Sequence, residues 1–361
     1  MAQLSLPTFY NPKNASDWGY RPNQRNLLVE AADFRSNNGI KAAVTDRKKV
    51  NLLLIDLQKD FTLPEGSLYV AGQSGTGAID DSIRISEFIY RNLPVISEIT
   101  PTFDTHVPFQ IFSPSFWLTA DGNHPDPFTF IVARESQVRD FMNPVLVIER
   151  GDVHPNPAVA GWLCNGNYNW LQKYTTHYCD ELEKAGKYTL YLWPEHCLLG
   201  DAGHALNGVI HEARLFHDYV RGARGPLEIK GSNELTENYS VLTPEVLVAQ
   251  DGNIITQKNE RFIETLISSD YVVIAGQAAS HCVASSIDDL LDEIQSQDPD
   301  LAQKVYVLED GMSAVTVPDG QGGFLADFTP QAEAALERYR NAGMKVVKST
   351  DDISTWDGFE L

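Results

Sequence analysis

The chain has 361 residues, a formal charge of −21 at pH 7, and 43% hydrophobic against 21% charged residues, a balance that suits a globular protein with a large core. So acidic a chain argues against nucleic acid, whose phosphates need a basic surface, and no run approaches the roughly 18 apolar residues of a membrane span. Four cysteines without framework spacing read as thiols of a reducing compartment, and the absence of a leader pattern makes cytoplasmic the expected location.

Residues 1–48 mix Pro, Asn, Asp and Arg and are expected to form an N-terminal arm or cap. The near-continuous apolar run from Val50 to Asp56 predicts a strand covered on both faces. A helix is predicted over Ala78–Arg91 from its apolar face, followed by a strand over Val95–Phe103. Residues 107–187 look like an insertion, rich in Pro, Phe, Asn and Gly in its first part, with a short apolar piece at 144–148. Within it a helix is expected over Trp170–Ala185, ending at Gly186. Then come a strand over Tyr188–Trp193, a helix over Leu206–Val220, a strand over Leu227–Lys230 and a helix over Arg261–Ser268. The apolar run ending at Gly276 predicts another strand, with Cys282 opening a helix through Val283, Ile287, Leu290, Leu291 and Ile294. A strand at Val305–Glu309, a helix at Pro330–Asn341 and a strand at Lys345–Lys348 complete the pattern, before a tail at 351–361. Alternating strands and helices give an α/β class with a mainly parallel sheet.

Sites in such sheets form at the carboxyl ends of strands. Asp56, Asp104 with His106, Lys230 and Cys282 each stand at a predicted strand end, and His196 lies just beyond another. A thiol at a helix start is favoured as the thiolate. A buried carboxylate can take its proton, an ammonium can organise the pair, and N–H groups of the turn at 277–282 can cradle an oxyanion. Asp104 and His106, two residues apart on an extended segment, point the same way, as ligands of one metal would, with His196 a third ligand. Taken singly, each has a plainer reading: a buried structural cysteine, a turn aspartate, a solvated lysine, polar loop histidines.

Together the motifs resemble the isochorismatase-like cysteine hydrolases, and within them the nicotinamidases. The segment Asp56-Leu57-Gln58-Lys59-Asp60-Phe61 resembles the family's first-strand motif. Lys230-Gly231 with Glu237-Asn238-Tyr239-Ser240 resembles its lysine segment, and Gly276 to Val283 its nucleophile motif. Asp104 and His106 match a D-x-H metal pair, and Trp193, Pro194, His196 and Cys197 a W-P-x-H-C motif. The resemblance implies a three-layer α/β/α hydrolase domain, here over residues 49–350. It implies Asp56, Lys230 and Cys282 as the catalytic residues, a cis peptide before Ala278, and an oxyanion hole from the Ala278 and Cys282 N–H groups. One divalent metal is implied at Asp104, His106 and His196, zinc first with iron or manganese as alternatives, and no organic cofactor. Phe61, Trp193, Gln58, Ala278 and His281 are the expected substrate contacts. Where many relatives place a further histidine ligand, this chain has Phe112, or Gln110 if the loop is shortened. The expected reaction is hydrolysis of nicotinamide to nicotinate and ammonia through a Cys282 thioester. The alternatives are the same triad acting on another small amide or ureide, or a non-catalytic binding protein. The expected partner is a small-molecule amide, with no nucleic acid or membrane and with a homo-oligomer left open.

Overall fold

The computed structural model describes residues 3–134, 145–148, 151–184 and 188–360. In chain order its first elements are α1 (Gln24–Asn38), β1 (Val50–Ile55), α2 (Lys59–Thr62), α3 (Gly77–Arg91) and β2 (Glu98–Asp104). The inserted region holds β3 (Trp117–Thr119), β4 (Phe130–Arg134), β5 (Val145–Ile148), β6 (Gly151–Pro155), α4 (Pro157–Leu163) and α5 (Tyr168–Lys184). Next come β7 (Leu190–Tyr191), α6 (Gly208–Arg221), β8 (Glu228–Lys230), α7 (Glu260–Ser268), β9 (Tyr271–Gly276) and α8 (Cys282–Gln297). The last elements are β10 (Val305–Leu308), β11 (Thr316–Pro318), β12 (Phe324–Asp327), α9 (Thr329–Asn341) and β13 (Lys345–Val347).

Six strands form one sheet in the order β13-β10-β9-β1-β2-β8, all pairs parallel. β1 is buried along its whole length because it is covered on both faces. Successive side chains alternate between faces. Leu52 and Leu54 pack with Phe88, Ile89, Ile210 and Phe216 of α3 and α6. Leu53 and Ile55 pack with Phe262, Val283, Ile287 and Ala335 of α7, α8 and α9. The result is a three-layer α/β/α fold, with the parallel sheet expected from the alternating pattern and the layering implied by the resemblance.

The chain winds outward from β1 through β2 and β8 on one side, and from β9 through β10 and β13 on the other. The order therefore reverses between β1 and β9, the crevice where open parallel sheets bind their ligands. Asp56 follows β1, and the 277–282 turn follows β9.

Several expected elements differ. The arm at 1–48 contains α1, which the sequence conceals because its apolar face is thin: only Leu27 and Ala31 are buried. Asn23 accepts from the Asn26 N–H at its start and Gly39, at φ 61°, ends it. The helix docks on α6, where Phe34 meets Phe216 at 5.4 Å between ring centres. The strand expected at Val95 begins at Glu98, after a turn closed by the Val95 N–H on the Asn92 carbonyl. The strand expected over Tyr188–Trp193 shortens to Leu190–Tyr191. The expected helix end at Gly186 and the start of the 144–148 piece lie outside the described residues. Residues 351–361, read as a tail, bury Ile353, Trp356 and Phe359 against the core, with Trp356 stacked on Phe88.

Strands β3 to β7 build a second, five-stranded sheet in the order β3-β6-β5-β4-β7, whose pairings are antiparallel. The core beside it runs from Ile131, Leu146, Tyr174 and Tyr178 to Phe112 and Trp193, and so backs one wall of the site. No helix among the described residues is long and apolar enough to cross a membrane.

Candidate active site

Four strand ends bring the predicted residues together. Lys230, last residue of β8, donates from Nζ to Asp104 Oδ1 at 2.9 Å, to the Asn238 carbonyl at 2.8 Å and to Cys282 Sγ at 3.6 Å. Asp56 Oδ2 is also 2.9 Å from Nζ, so the one ammonium is paired with two buried carboxylates. Its other oxygen accepts from the Thr102 hydroxyl at 2.5 Å. Asp56 sits at φ 48°, a left-handed conformation that aspartate tolerates better than most residues.

Two glycines make this convergence possible. Gly276 lies at φ 134°, where a Cβ would run into the backbone of Ile55. Gly231, at φ 81°, faces Asp104 and His106 so closely that a Cβ would stand 2.7 Å from Asp104 Oδ1. The peptide between Gln277 and Ala278 is cis. Neither the Ala278 nor the Cys282 N–H has a hydrogen-bond acceptor among the described residues, so two donors at the start of α8 are free for an incoming oxyanion.

Electrostatics here is set first by burial. Desolvation pushes the Cys282 thiol well above its ordinary pKa; Lys230 opposes the shift, whereas Asp56 and Asp104 add to it. This corrects the expectation of a resting thiolate. A dry site with two carboxylates favours the neutral thiol, so the thiol needs a base. Burial likewise raises Asp56, with Lys230 pulling it down and Asp104 pushing it up, and a raised carboxylate is the better proton acceptor. For Lys230, desolvation acts downward, but Asp104, Asp56 and Cys282 together carry it well above its ordinary value, so it stays an ammonium.

Asp104, His106 and His196 bring one ligand atom each within 4.8 Å of one another, all three residues buried. His106 Nδ1 lies 3.1 Å from the Gly231 carbonyl and His196 Nδ1 2.7 Å from the Pro194 carbonyl. A carbonyl only accepts, so each Nδ1 carries the proton and each Nε2 presents a lone pair. Burial also lowers the pKa of His106, against the pull of Asp104, which keeps that ring neutral. Both Nε2 atoms face Asp104 Oδ2, at 2.8 and 3.5 Å. Three electron-rich atoms converging with no proton between them fit a divalent cation.

Gln110 donates to the same Gly231 carbonyl that takes His106 Nδ1, which puts its amide nitrogen behind His106, on the side away from Asp104. Phe112 packs against His106 and His196, at 4.8 and 5.9 Å between ring centres. Where a further ligand was sought there is thus an apolar ring.

One cleft contains Cys282, Asp104, His106 and His196, walled by Phe61, Trp193, Phe112, Ala278 and His281. Burial depresses His281 to about 4, so it is a neutral wall. Gln58 is a correction. It is fully buried, donates to the Asp104 and His204 carbonyls and accepts the Asp104 N–H. Its side chain clamps the backbone of Asp104 and does not line the cleft.

Glu237 and Tyr239 also line the cleft and were not singled out from the sequence beyond the motif containing them. Tyr188 donates to Glu237 at 3.1 Å, and Trp193 to the Tyr239 hydroxyl at 2.7 Å. Burial raises Glu237 to about 8. A carboxyl protonated in the fold but ionised in the unfolded chain loses stability as pH climbs from its ordinary 4.5 through 8. Glu237→Gln is therefore expected to melt at nearly the same temperature as wild type at pH 5 and several degrees higher at pH 8.5. Parallel melting curves of the two proteins across that range would contradict this.

No family model matches the chain, and no curated protein matches it. Solved structures do. Yeast nicotinamidase bound to the inhibitor nicotinaldehyde aligns at 17% identity and TM-score 0.48, over 83% of this chain and 99% of that one. Pyrococcus horikoshii pyrazinamidase in complex with zinc aligns at 16% identity and TM-score 0.41, over 83% and 99%. An isochorismatase-like hydrolase from Alkaliphilus metalliredigens aligns at 11% and 0.38, over 83% and 95%. Over most of its length, and at low sequence identity, the chain is thus matched in structure by nicotinamidases, pyrazinamidases and an isochorismatase-like hydrolase.

Proposed function

We propose that this chain is a metal-dependent cysteine amidohydrolase that converts nicotinamide and water to nicotinate and ammonia. The observation that carries the reading is Lys230, whose one ammonium touches Asp56, Asp104 and Cys282 and so joins the nucleophile and its base to the metal-ligand group.

In this reading the Cys282 proton passes to Asp56 Oδ2 as Sγ bonds to the carboxamide carbon. The carbonyl oxygen takes the negative charge and rests on the Ala278 and Cys282 N–H groups. The C–N bond breaks as Asp56 returns the proton to the departing nitrogen, releasing ammonia. Asp56 then takes a proton from water, whose oxygen bonds to the thioester carbon. The C–S bond breaks, and the proton goes back to sulfur. Phe61, Trp193 and Phe112 present apolar surface to a flat ring. A divalent ion held by Asp104, His106 and His196, with zinc the first candidate, would supply a Lewis acid that anchors a ring nitrogen.

The test is ammonia release from millimolar nicotinamide, beside a panel of benzamide, aliphatic amides and ureides, with metal analysis of the same protein. Turnover of nicotinamide above benzamide and about one divalent ion per chain are expected. No ammonia from nicotinamide would remove the substrate assignment, and release from none of the panel would remove the amidohydrolase reading.

A further inference from the structure

We infer that Asp81, on α3 and outside the catalytic cleft, is a positioning residue that sets the oxyanion-binding turn; the inference rests on the amidohydrolase reading. The side chain of Asp81 is about 1% exposed. Its Oδ2 accepts the Gln277 side-chain amide at 2.8 Å and the Ser313 hydroxyl at 2.6 Å, and its Oδ1 pairs with Arg84 at 2.6 Å.

Both of the first two partners hold the turn. Gln277 precedes Ala278 directly and is fully buried. Its side-chain oxygen accepts the Ser313 N–H at 3.3 Å, and its own N–H donates to the Ile55 carbonyl at 2.8 Å. The Ser313 carbonyl takes the Ala279 N–H at 2.8 Å. Ala278 is therefore bracketed on each side by residues whose positions are set by the Asp81–Ser313 pair. In the same turn, Ser280 Oγ accepts the Val315 N–H at 3.1 Å. Arg84 adds a bond to the Asp310 carbonyl at 2.5 Å, so α3 grips the segment after β10 as well as the turn after β9.

Asp81 touches neither the cleft nor the metal-ligand group, so its contribution is the angle at which the Ala278 N–H meets a developing oxyanion. Donors of this kind act only when aimed at the transition-state oxygen, and small displacements are expensive in rate. Removing the carboxylate leaves the buried Gln277 amide and the half-buried Ser313 hydroxyl without that acceptor, and the turn relaxes to find others.

The experiment compares Asp81→Ala and Asp81→Asn with wild type, using the best amide of the panel. The measured quantities are kcat, KM, the rate of Cys282 alkylation by iodoacetamide, and bound metal. Asp81→Ala is expected to lose about 10- to 100-fold in kcat, with KM, alkylation rate and metal content close to wild type. Asp81→Asn keeps an oxygen for Gln277 and Ser313 and is expected to recover most of the rate. Gln277→Met, which removes the same bond with Asp81 intact, carries the test if Asp81→Ala does not fold. A kcat unchanged within about twofold in the variant that folds, or a parallel fall of kcat, alkylation and metal content, overturns the inference. A wild type that hydrolyses none of the panel overturns the functional reading and this inference together; an active wild type with an indifferent variant overturns this inference alone.

Discussion

Cys282→Ala is expected to release ammonia at least about 10³-fold more slowly than wild type while keeping its fold and its metal. The thiol is buried at the first residue of α8, and alanine removes one sulfur and its contact with the Lys230 ammonium without adding bulk. The three metal-ligand side chains are not touched. What disappears is the atom to which the acyl group bonds, so no adjustment of neighbours can restore the route. Ammonia assays beside metal analysis and a melting curve check this. Activity within about tenfold of wild type would point to direct attack by water and would remove the covalent mechanism.

Lys230→Met should damage both rate and stability. The ammonium compensates Asp56 and Asp104, each 2.9 Å away and buried. Methionine fills a similar volume but leaves two carboxylates in a dry site without their cation. Breaking a buried pair from one side typically costs about 3–5 kcal/mol. The abandoned carboxylates lower that cost by taking up a proton, which removes Asp56 as a base, so kcat should fall by about 10³-fold. The sign of the pH dependence follows. Carboxyl groups whose folded pKa is raised stabilise the fold below their unfolded pKa, and that stability is lost as pH rises through the folded value. The deficit of Lys230→Met relative to wild type is therefore expected to be larger at pH 8 than at pH 5. Melting curves at the two pH values decide it: an equal deficit at both would mean that the lysine acts by packing alone.

Much of the site was legible because its residues stand at strand ends. Asp56 and Cys282 follow apolar runs that the sheet buries, Asp104 and Lys230 end the neighbouring strands β2 and β8, and the sheet order gathers all four. The Asp104, His106 and His196 group, which could hold a metal ion, was legible as a two-residue spacing plus one distant histidine. Three features were not. The thiol's pKa depends on how dry the site is, which helix position alone does not reveal. Gln58 reads as a polar residue close to Asp56, the proposed base, yet both ends of its amide are taken by backbone groups. Asp81 looks like any acid on an amphipathic helix, and its partners come from residues 196 and 232 positions away.

The fold shows the same division. Long periodic elements such as α3, α6 and α8 announced themselves. The antiparallel sheet of the insertion is made of strands two to five residues long, too short for alternation to stand out. The core packed with that sheet, which holds Phe112 and Trp193 at the cleft, depends on packing between segments far apart in sequence.

If Cys282 carries the acyl group, acid-quenching wild-type protein during turnover of nicotinamide and mapping its cysteines by mass spectrometry will find it there. A pyridinecarbonyl adduct is expected on the Cys282 peptide, absent from Cys164, Cys179 and Cys197 and absent when Asp56→Asn replaces wild type. Ammonia release at full rate with Cys282 unmodified under quench conditions that preserve a thioester standard would contradict it.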